Sequence, residues 1–322
     1  MVTLLVATTR DPASINPANA LLAMPNPSNW QPGPSLSDEI QSFRFGDVRL
    51  LRHGKSIVEE DDLDLRWQDA TGEAVDEVIF FSKHTAVSNR PALTIHPIGV
   101  PHLAEGDVPL QGGKPGWAAP PDPRMGPWLR LLKRIAESRN LLPEFEVTLE
   151  ATHHGPITNK PTMFVEIGST EEYWKRQDAA EAIAQLVFEG LGLGSGAAVG
   201  TWNIDHNKNK RVLLGVGGGH YAPRHMDIVM KGDVWVAHLL SGYALPMEDP
   251  NQNKGGGAST KDIGGTWKQS IKAAFEATRL AFPGGEILAH LDHKSFKSWQ
   301  KNAITAFLGE LDVKVGKPND FC

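Results

Sequence analysis

Short runs with strand character alternate with helical patterns along the whole chain, and this alternation most restricts what it can fold into. The strand candidates are residues 3–7, 48–52, 77–81, 93–96, 145–151, 163–167, 211–216, 234–239, 287–290 and 311–315. Several are apolar at consecutive positions, as strands buried on both faces must be. Between them, apolar residues recur three and four positions apart. Trp128, Leu131, Leu132 and Ile135 predict one helix after a proline-rich stretch, and Phe296, Trp299, Ala303 and Phe307 predict another near the end. Ile183, Leu186, Val187 and Gly190 mark a third, with Ser169 and Glu172 spaced as a capping box ahead of it. Strands interleaved with helices in this way predict an α/β architecture, helices covering both faces of a sheet.

Three segments rich in Gly, Pro and Asn, residues 24–37, 106–127 and 249–265, read as long mobile loops rather than separate domains. A chain of 322 residues that is 40% hydrophobic can fill one large core, so a single domain over 1–322 with insertions near 106–127 and 249–265 is expected. The apolar run at the N-terminus is too short for a leader and reads as the first strand. No stretch approaches the ~20 apolar residues that span a bilayer, which predicts a soluble, cytoplasmic protein. The single cysteine, Cys322, rules out internal disulfides and a thiolate metal cluster, so any metal must be held by His, Asp or Glu. A formal charge of −6 gives no global attraction for nucleic acid, and such a partner must meet a local basic patch.

Candidate chemistry concentrates at strand ends. His153 and His154 stand where the run at 145–151 meets Gly155-Pro156. In that run Phe145, Val147, Leu149 and Ala151 share one face, and Glu146, Thr148 and Glu150 the other, so strict alternation would point the two histidines apart. An irregular strand end can turn both toward one site, and the carboxyl ends of strands are where open α/β sheets bind ligands. The alternative is a pair of histidines that merely cap a loop by hydrogen bonds. Glu166 lies among Phe164, Val165 and Ile167, where an unpartnered carboxylate is costly, which suggests a ligand or a structural ion pair.

After the apolar residues 212–214, Gly217-Gly218-Gly219-His220 reads as an anion or oxyanion cradle with a histidine beside it, or else as a plain flexible turn. Lys83, His84, Arg90 and His96 flank two further strand ends. The cations suit phosphate or ribose contacts, and His84 or His96 could join a metal set. Lys294, Lys297 and Lys301 are spaced to share a helix face, a pattern that either tracks phosphates or is simply solvated. The glycines at 190, 192, 194 and 196 follow a helix instead of a strand, which excludes a dinucleotide fingerprint. Without a G-x-S-x-G elbow, covalent catalysis has little support.

Taken together, Ala151-Thr-His-His-Gly-Pro156, Phe164-Val-Glu-Ile-Gly-Ser-Thr170, Pro91-Ala-Leu-Thr-Ile-His-Pro97 and Gly217-Gly-Gly-His-Tyr-Ala-Pro-Arg224 resemble the D-aminoacyl-tRNA deacylase family shared by archaea and plants. The resemblance runs over nearly the whole chain, although the loops 106–127 and 249–265 match none of the family motifs. It implies a three-layer α/β/α sandwich with a mixed central sheet, phosphorylase/hydrolase-like. It also implies a monomeric Zn²⁺ hydrolase that cleaves D-aminoacyl-tRNA as translation quality control, including tRNAs whose amino group carries an aldehyde-derived adduct.

On that basis His153, His154, Glu166 and His220 are expected as metal ligands and acid–base groups, with the Gly218 and Gly219 amides stabilising the oxyanion. Lys83, His84, Arg90, His96, Thr152 and Arg224 are expected to contact the substrate. The competing expectations are a non-catalytic tRNA-binding module and a metal-independent hydrolase of peptidyl-tRNA or small esters.

Overall fold

A computed structural model describes residues 1–25, 29–37, 39–250 and 263–321. Most of the insertion expected at 249–265, and Cys322, lie outside the described residues. The first group of strands comprises β1 (Val2–Thr8), β2 (Gln31–Pro32), β3 (Gln41–Phe45), β4 (Val48–His53), β5 (Val75–Lys83), β6 (Ala92–His96), β7 (Glu146–Leu149) and β8 (Thr162–Gly168). They form one eight-stranded sheet in the order β2-β3-β4-β1-β5-β8-β6-β7. The inner strands β4, β1, β5 and β8 run parallel, β6 is antiparallel to β8, and β2 and β3 turn back antiparallel at the far edge. The sheet is therefore mixed, as the family resemblance implies. β2 and β3 went unread because they are short, polar edge strands.

A second, four-stranded parallel sheet, which the sequence reading does not separate from the first, is built from β9 (Arg211–Val216), β10 (Trp235–Leu240), β11 (Glu286–Leu291) and β12 (Lys314–Val315) in the order β10-β9-β11-β12. The two sheets share one core. Leu213, Val236 and Leu239 of the second pack in the same cluster as Ile79, Leu93 and Val165 of the first. Between the sheets, Ala151 N donates to His220 O and Thr152 N to Leu239 O, at 2.7 and 2.8 Å.

Helices α1 (Pro12–Ala23), α2 (Leu63–Thr71), α3 (Met125–Ser138), α4 (Glu171–Trp174), α5 (Gln177–Gly190), α6 (Ile204–Asn207), α7 (Pro223–Lys231), α8 (Trp267–Ala281) and α9 (Ser298–Glu310) cover the sheets. α5 buries Ile183, Leu186, Val187 and Gly190 as its spacing predicts, but the capping box does not form. Ser169 instead donates to Arg90 O at 2.6 Å, and the chain makes the separate turn α4 before α5 begins. The lysine stripe also dissolves, because Lys294 sits in the short turn His293–Ser295 and Lys297 caps α9.

Segment 106–127 is mostly exposed over residues 106–111, Val108 and Leu110 included, and packed from Ala118 onward. Ala119 and Asp122 are buried, Gln111 O accepts from Gly155 N at 3.0 Å, and α3 begins within the segment. Gly155 has to be glycine there, since a Cβ would collide with the backbone of Gly112 and Gly113.

Strand alternation decides where polar groups fall on the large sheet. On one face Ile79, Phe81, Leu93, Ile95, Leu149, Val165 and Ile167 form a continuous apolar layer under α1, α3 and α5. On the other, Phe80 and Phe164 stack at 4.8 Å beneath α2. The registers Ser82↔Glu166, Thr94↔Glu166 and Thr94↔Thr148 show that this second face becomes polar farther along.

Candidate active site

The polar end of that face carries five histidines and two glutamates. His84 leaves β5, His96 ends β6, Glu150, His153 and His154 follow β7, Glu166 lies within β8, and His220 arrives from the loop after β9. Gly168 makes room for the first of these, since a Cβ there would lie 2.9 Å from the Cβ of His84. Strict alternation does not hold past residue 151. His154 adopts a left-handed φ of +43°, which brings its ring to 4.4 Å from that of His153. The His153 ring in turn lies 4.2 Å from that of His96 and 4.8 Å from that of His220.

Hydrogen bonds fix the tautomers of three rings. Nδ1 of His96, His153 and His154 faces the carbonyl of Pro97, Ala151 and Gly155, at 3.1, 2.7 and 2.6 Å. A carbonyl only accepts, so each Nδ1 carries the hydrogen and each Nε2 keeps its lone pair. One potential ligand atom from each of the three lies within 4.8 Å of the others, and Nε2 of His96 is buried with no hydrogen-bond partner. Burial holds all three neutral, pushing His96 down to about 4, His154 to about 3 and His153 well below the usual range.

Glu150 organises the other side. Its Oε2 accepts from His220 Nε2 at 2.7 Å, and its Oε1 lies 3.0 Å from His84 Nδ1, close enough for an ion pair but off the hydrogen-bond direction. Burial alone would raise its pKa; the contacts with His220 and His84 outweigh that and hold the carboxyl well below the ordinary range. Conversely, burial opposes the charged forms of His84 and His220, but contact with Glu150 raises both. Glu166 is pushed well above its usual value by burial and by the Glu150 charge, so it holds a proton. Tyrosines close the chain at both ends: Tyr221 hydroxyl lies 2.9 Å from His84 Nε2, and Tyr243 hydroxyl 3.0 Å from His220 Nδ1.

His84, His153, His154, Glu166 and His220 line a cleft of about 520 Å³ that continues past Lys83 to Thr8, Arg10, Asp11 and Ser56, with Ile57, Val58 and Gln111 as a wall, while His96 and Glu150 lie buried behind them. Lys83 lies over the Trp174 ring and 3.6 Å from Asp11.

His153, His154, Glu166 and His220 all reach this cleft, but as potential ligands they fall into different sets: His96 with His153 and His154, His84 with Glu150 and His220, and His96 with Glu150 and Glu166. Other expected residues lie elsewhere. Gly218 N–H donates to Ser295 Oγ at 2.7 Å, so that amide is committed and is not aimed at an oxyanion, while the carbonyl of Gly219 accepts from Ala222 N at 3.1 Å. Arg224 pairs with Asp292 at 3.0 Å beside the second sheet, Arg90 is exposed next to Glu146, and Thr152 is buried against His238.

Glu150, Tyr221 and Tyr243 were missed as site residues. In the sequence Glu150 reads as part of a polar strand face with Glu146 and Thr148, and only the structure shows Thr148 and Glu150 to be buried. The two tyrosines carry no signal that a single sequence offers.

The D-aminoacyl-tRNA deacylase family profile matches residues 71–316. A D-aminoacyl-tRNA deacylase from Arabidopsis thaliana is 70% identical over 321 residues, spanning 100% of both chains. One from Methanosarcina barkeri is 30% identical over 301 residues, 93% of this chain and 81% of the relative. The crystal structure of a conserved protein of unknown function superposes with a TM-score of 0.72 at 25% identity, covering 99% of this chain and 96% of that one. The chain thus belongs to the D-aminoacyl-tRNA deacylase family.

Proposed function

We propose that the histidine–glutamate cleft holds Zn²⁺ and there hydrolyses the ester joining a D-amino acid to the 3′-terminal ribose of tRNA. One observation carries this reading: three neutral imidazoles, each with Nδ1 tied to a backbone carbonyl and each with a potential ligand atom within 4.8 Å of the others, stand beside an ionised and a protonated carboxyl. Nitrogen ligands oriented in this way by backbone carbonyls, next to a water-accessible cleft, suit zinc. His96, His153 and His154 would hold the ion, and His84, Glu150 and His220 offer a second set. Bound there, it would polarise the ester carbonyl and acidify the attacking water.

The remaining work falls to the chain's own groups. Glu150 is ionised, and its Oε1 has an unfilled acceptor position, so it takes the proton of the attacking water. His220, held through Nε2 and with its pKa raised, protonates the leaving ribose oxygen from Nδ1 on its exposed side. Glu166 keeps its proton, so no second negative charge opposes the first. Lys83 and Arg10 meet the phosphates, and the wall of Ile57, Val58 and Gln111 selects the D side chain by shape, because the enantiomers share their functional groups.

In this reading the protein is a single deacylase domain over 1–322 of the archaeal and plant type, monomeric and cytoplasmic. Its substrates in this reading include tRNAs whose amino group bears an aldehyde-derived adduct. The deciding experiment measures metal content and the hydrolysis of D- and L-tyrosyl-tRNA before chelation, after it, and after zinc is restored. D-selective release that chelation abolishes and zinc restores is expected. Undiminished release from metal-free protein would overturn the assignment.

A further inference from the structure

We propose that Tyr243 is a stacking platform for the unpaired 3′-terminal nucleobase of the RNA, an inference that rests on the deacylase reading of the adjoining cleft. A lone exposed apolar side chain needs no explanation. Tyr243 is different because of what its two ends do. Its hydroxyl lies 3.0 Å from Nδ1 of His220, the ring nitrogen opposite the one that donates to Glu150. Its ring, by contrast, is left in solvent: the residue is 54% exposed and is the only aromatic among the exposed large hydrophobic residues in the described structure.

The backbone beneath it is pinned. Tyr243 sits in the short turn Gly242–Ala244, where Gly242 N donates to Gly218 O at 2.9 Å and Ala244 N to Ser241 O at 3.0 Å. Ala244 and Leu245 are buried in the second sheet's core. An aromatic face fixed at both ends beside a catalytic histidine loses little freedom when a flat ligand lands on it.

The substrate supplies such a ligand at the matching distance. The scissile ester sits on the ribose of the last nucleotide, and that nucleotide's base is one sugar ring away. With the leaving oxygen at His220, the base falls beside Tyr243. Unpaired bases at RNA ends are commonly held by stacking on aromatic side chains, which tolerates any base. Tyr243 would thereby position the ribose for protonation by His220.

The test is a binding cycle that needs no catalysis. Affinity for uncharged tRNA is measured by fluorescence anisotropy, with intact RNA and with RNA lacking its 3′-terminal nucleotide, for wild type, Y243A and Y243F. Trimming should weaken wild type and Y243F by roughly tenfold, the range expected for one stacked base, and should leave Y243A unchanged. If trimming weakened Y243A as much as wild type, the platform would be excluded. If Y243F behaved like Y243A, the hydroxyl and not the ring would be the active part, and the proposal would fail. Wild-type protein that released no amino acid from D-tyrosyl-tRNA would sink the deacylase reading by a separate route, since the binding cycle does not depend on turnover.

Discussion

Two groups of histidines in this molecule, one beneath and between the sheets and one at the cleft, differ in what their nitrogens have left to do. Beneath the second sheet, His225 bonds His290 through Nδ1 at 2.9 Å and Gly217 O through Nε2 at 3.1 Å. Between the sheets, His238 bonds Thr152 Oγ1 at 3.0 Å and Ala119 O at 2.9 Å. Both nitrogens of each ring are satisfied. At the cleft, His96, His153 and His154 are tied by one nitrogen only, and one potential ligand atom from each lies within 4.8 Å of the others. Burial lowers the pKa in both groups, so burial does not mark the functional ring. An unbonded nitrogen on rings gathered in one place does.

The strongest way to break this contrast is to delete one member of each group. H154A should lower zinc affinity by more than the ~10–100-fold seen when only an outer partner of a ligand is lost, and D-tyrosyl-tRNA hydrolysis should fall with it. H238A should leave metal content unchanged and instead cost about 1–3 kcal/mol of stability, because Thr152 and Ala119 O lose their partner inside the core. Metal analysis and thermal melts on the two variants read both outcomes. Equal zinc loss in both would erase the distinction.

The two carboxyls sharpen it next. Glu150 is ionised and in contact with His84 and His220, whose pKa values it raises, whereas Glu166 already holds a proton. E150Q should therefore reduce kcat by about 10²–10³-fold, within the range for a lost general base. E166Q replaces a neutral group with a neutral group and should cost less than about tenfold. Single-turnover rates under saturating enzyme separate the two, and a reversed order would exchange their roles.

Much of the fold was legible because both strands and helices leave periodic traces. Every strand candidate from 3–7 to 311–315 coincides with or overlaps a strand, and the faces of α3 and α5 are the expected ones. α1 escaped because Pro12, Pro17 and its asparagines and serine break the usual pattern, even though Asp11 caps it through Ala13 N. Of the site, the histidines were legible as unusual residue types at strand ends. Glu150 was not, since on an alternating strand a carboxylate beside Thr148 looks solvated until the second sheet, bonding through Ala151 and Thr152, covers it. Distance in sequence hid the tyrosines, because only tertiary contact brings Tyr221 to His84 and Tyr243 to His220.

Acid should act on the rings beneath and between the sheets through stability. His225 and His238 titrate at about 4 in the folded protein against 6.5 for an ordinary histidine, chiefly because burial disfavours the cation. Between these values the unfolded chain binds the proton first, so stability is full above pH 6.5 and declines as pH falls toward 4. The decline is at most roughly 3 kcal/mol per residue. Denaturant melts from pH 7 to 4.5 should show this slope, flattened in H238Q. A slope unchanged in that variant would mean that other groups carry the acid sensitivity.

The smallest effect tests how finely the cleft histidines are set. Tyr221 hydroxyl lies 2.9 Å from His84 Nε2, and burial, followed by the Glu150 charge, pushes that phenol up to about 12, so it remains a donor at working pH. His84 Nε2 therefore accepts, and its Nδ1 carries the hydrogen toward Glu150. Y221F removes a donor that favours the neutral ring, so His84 should hold its proton to higher pH than it does in wild type. The acid limb of the kcat profile should move to higher pH, and kcat should drop about fivefold, the worth of roughly 1 kcal/mol, at unchanged KM. A purely packing role for Tyr221 would lower the melting temperature and leave that limb where it is. The comparison of the two profiles shows whether the protein tunes the cleft rings or only stacks them.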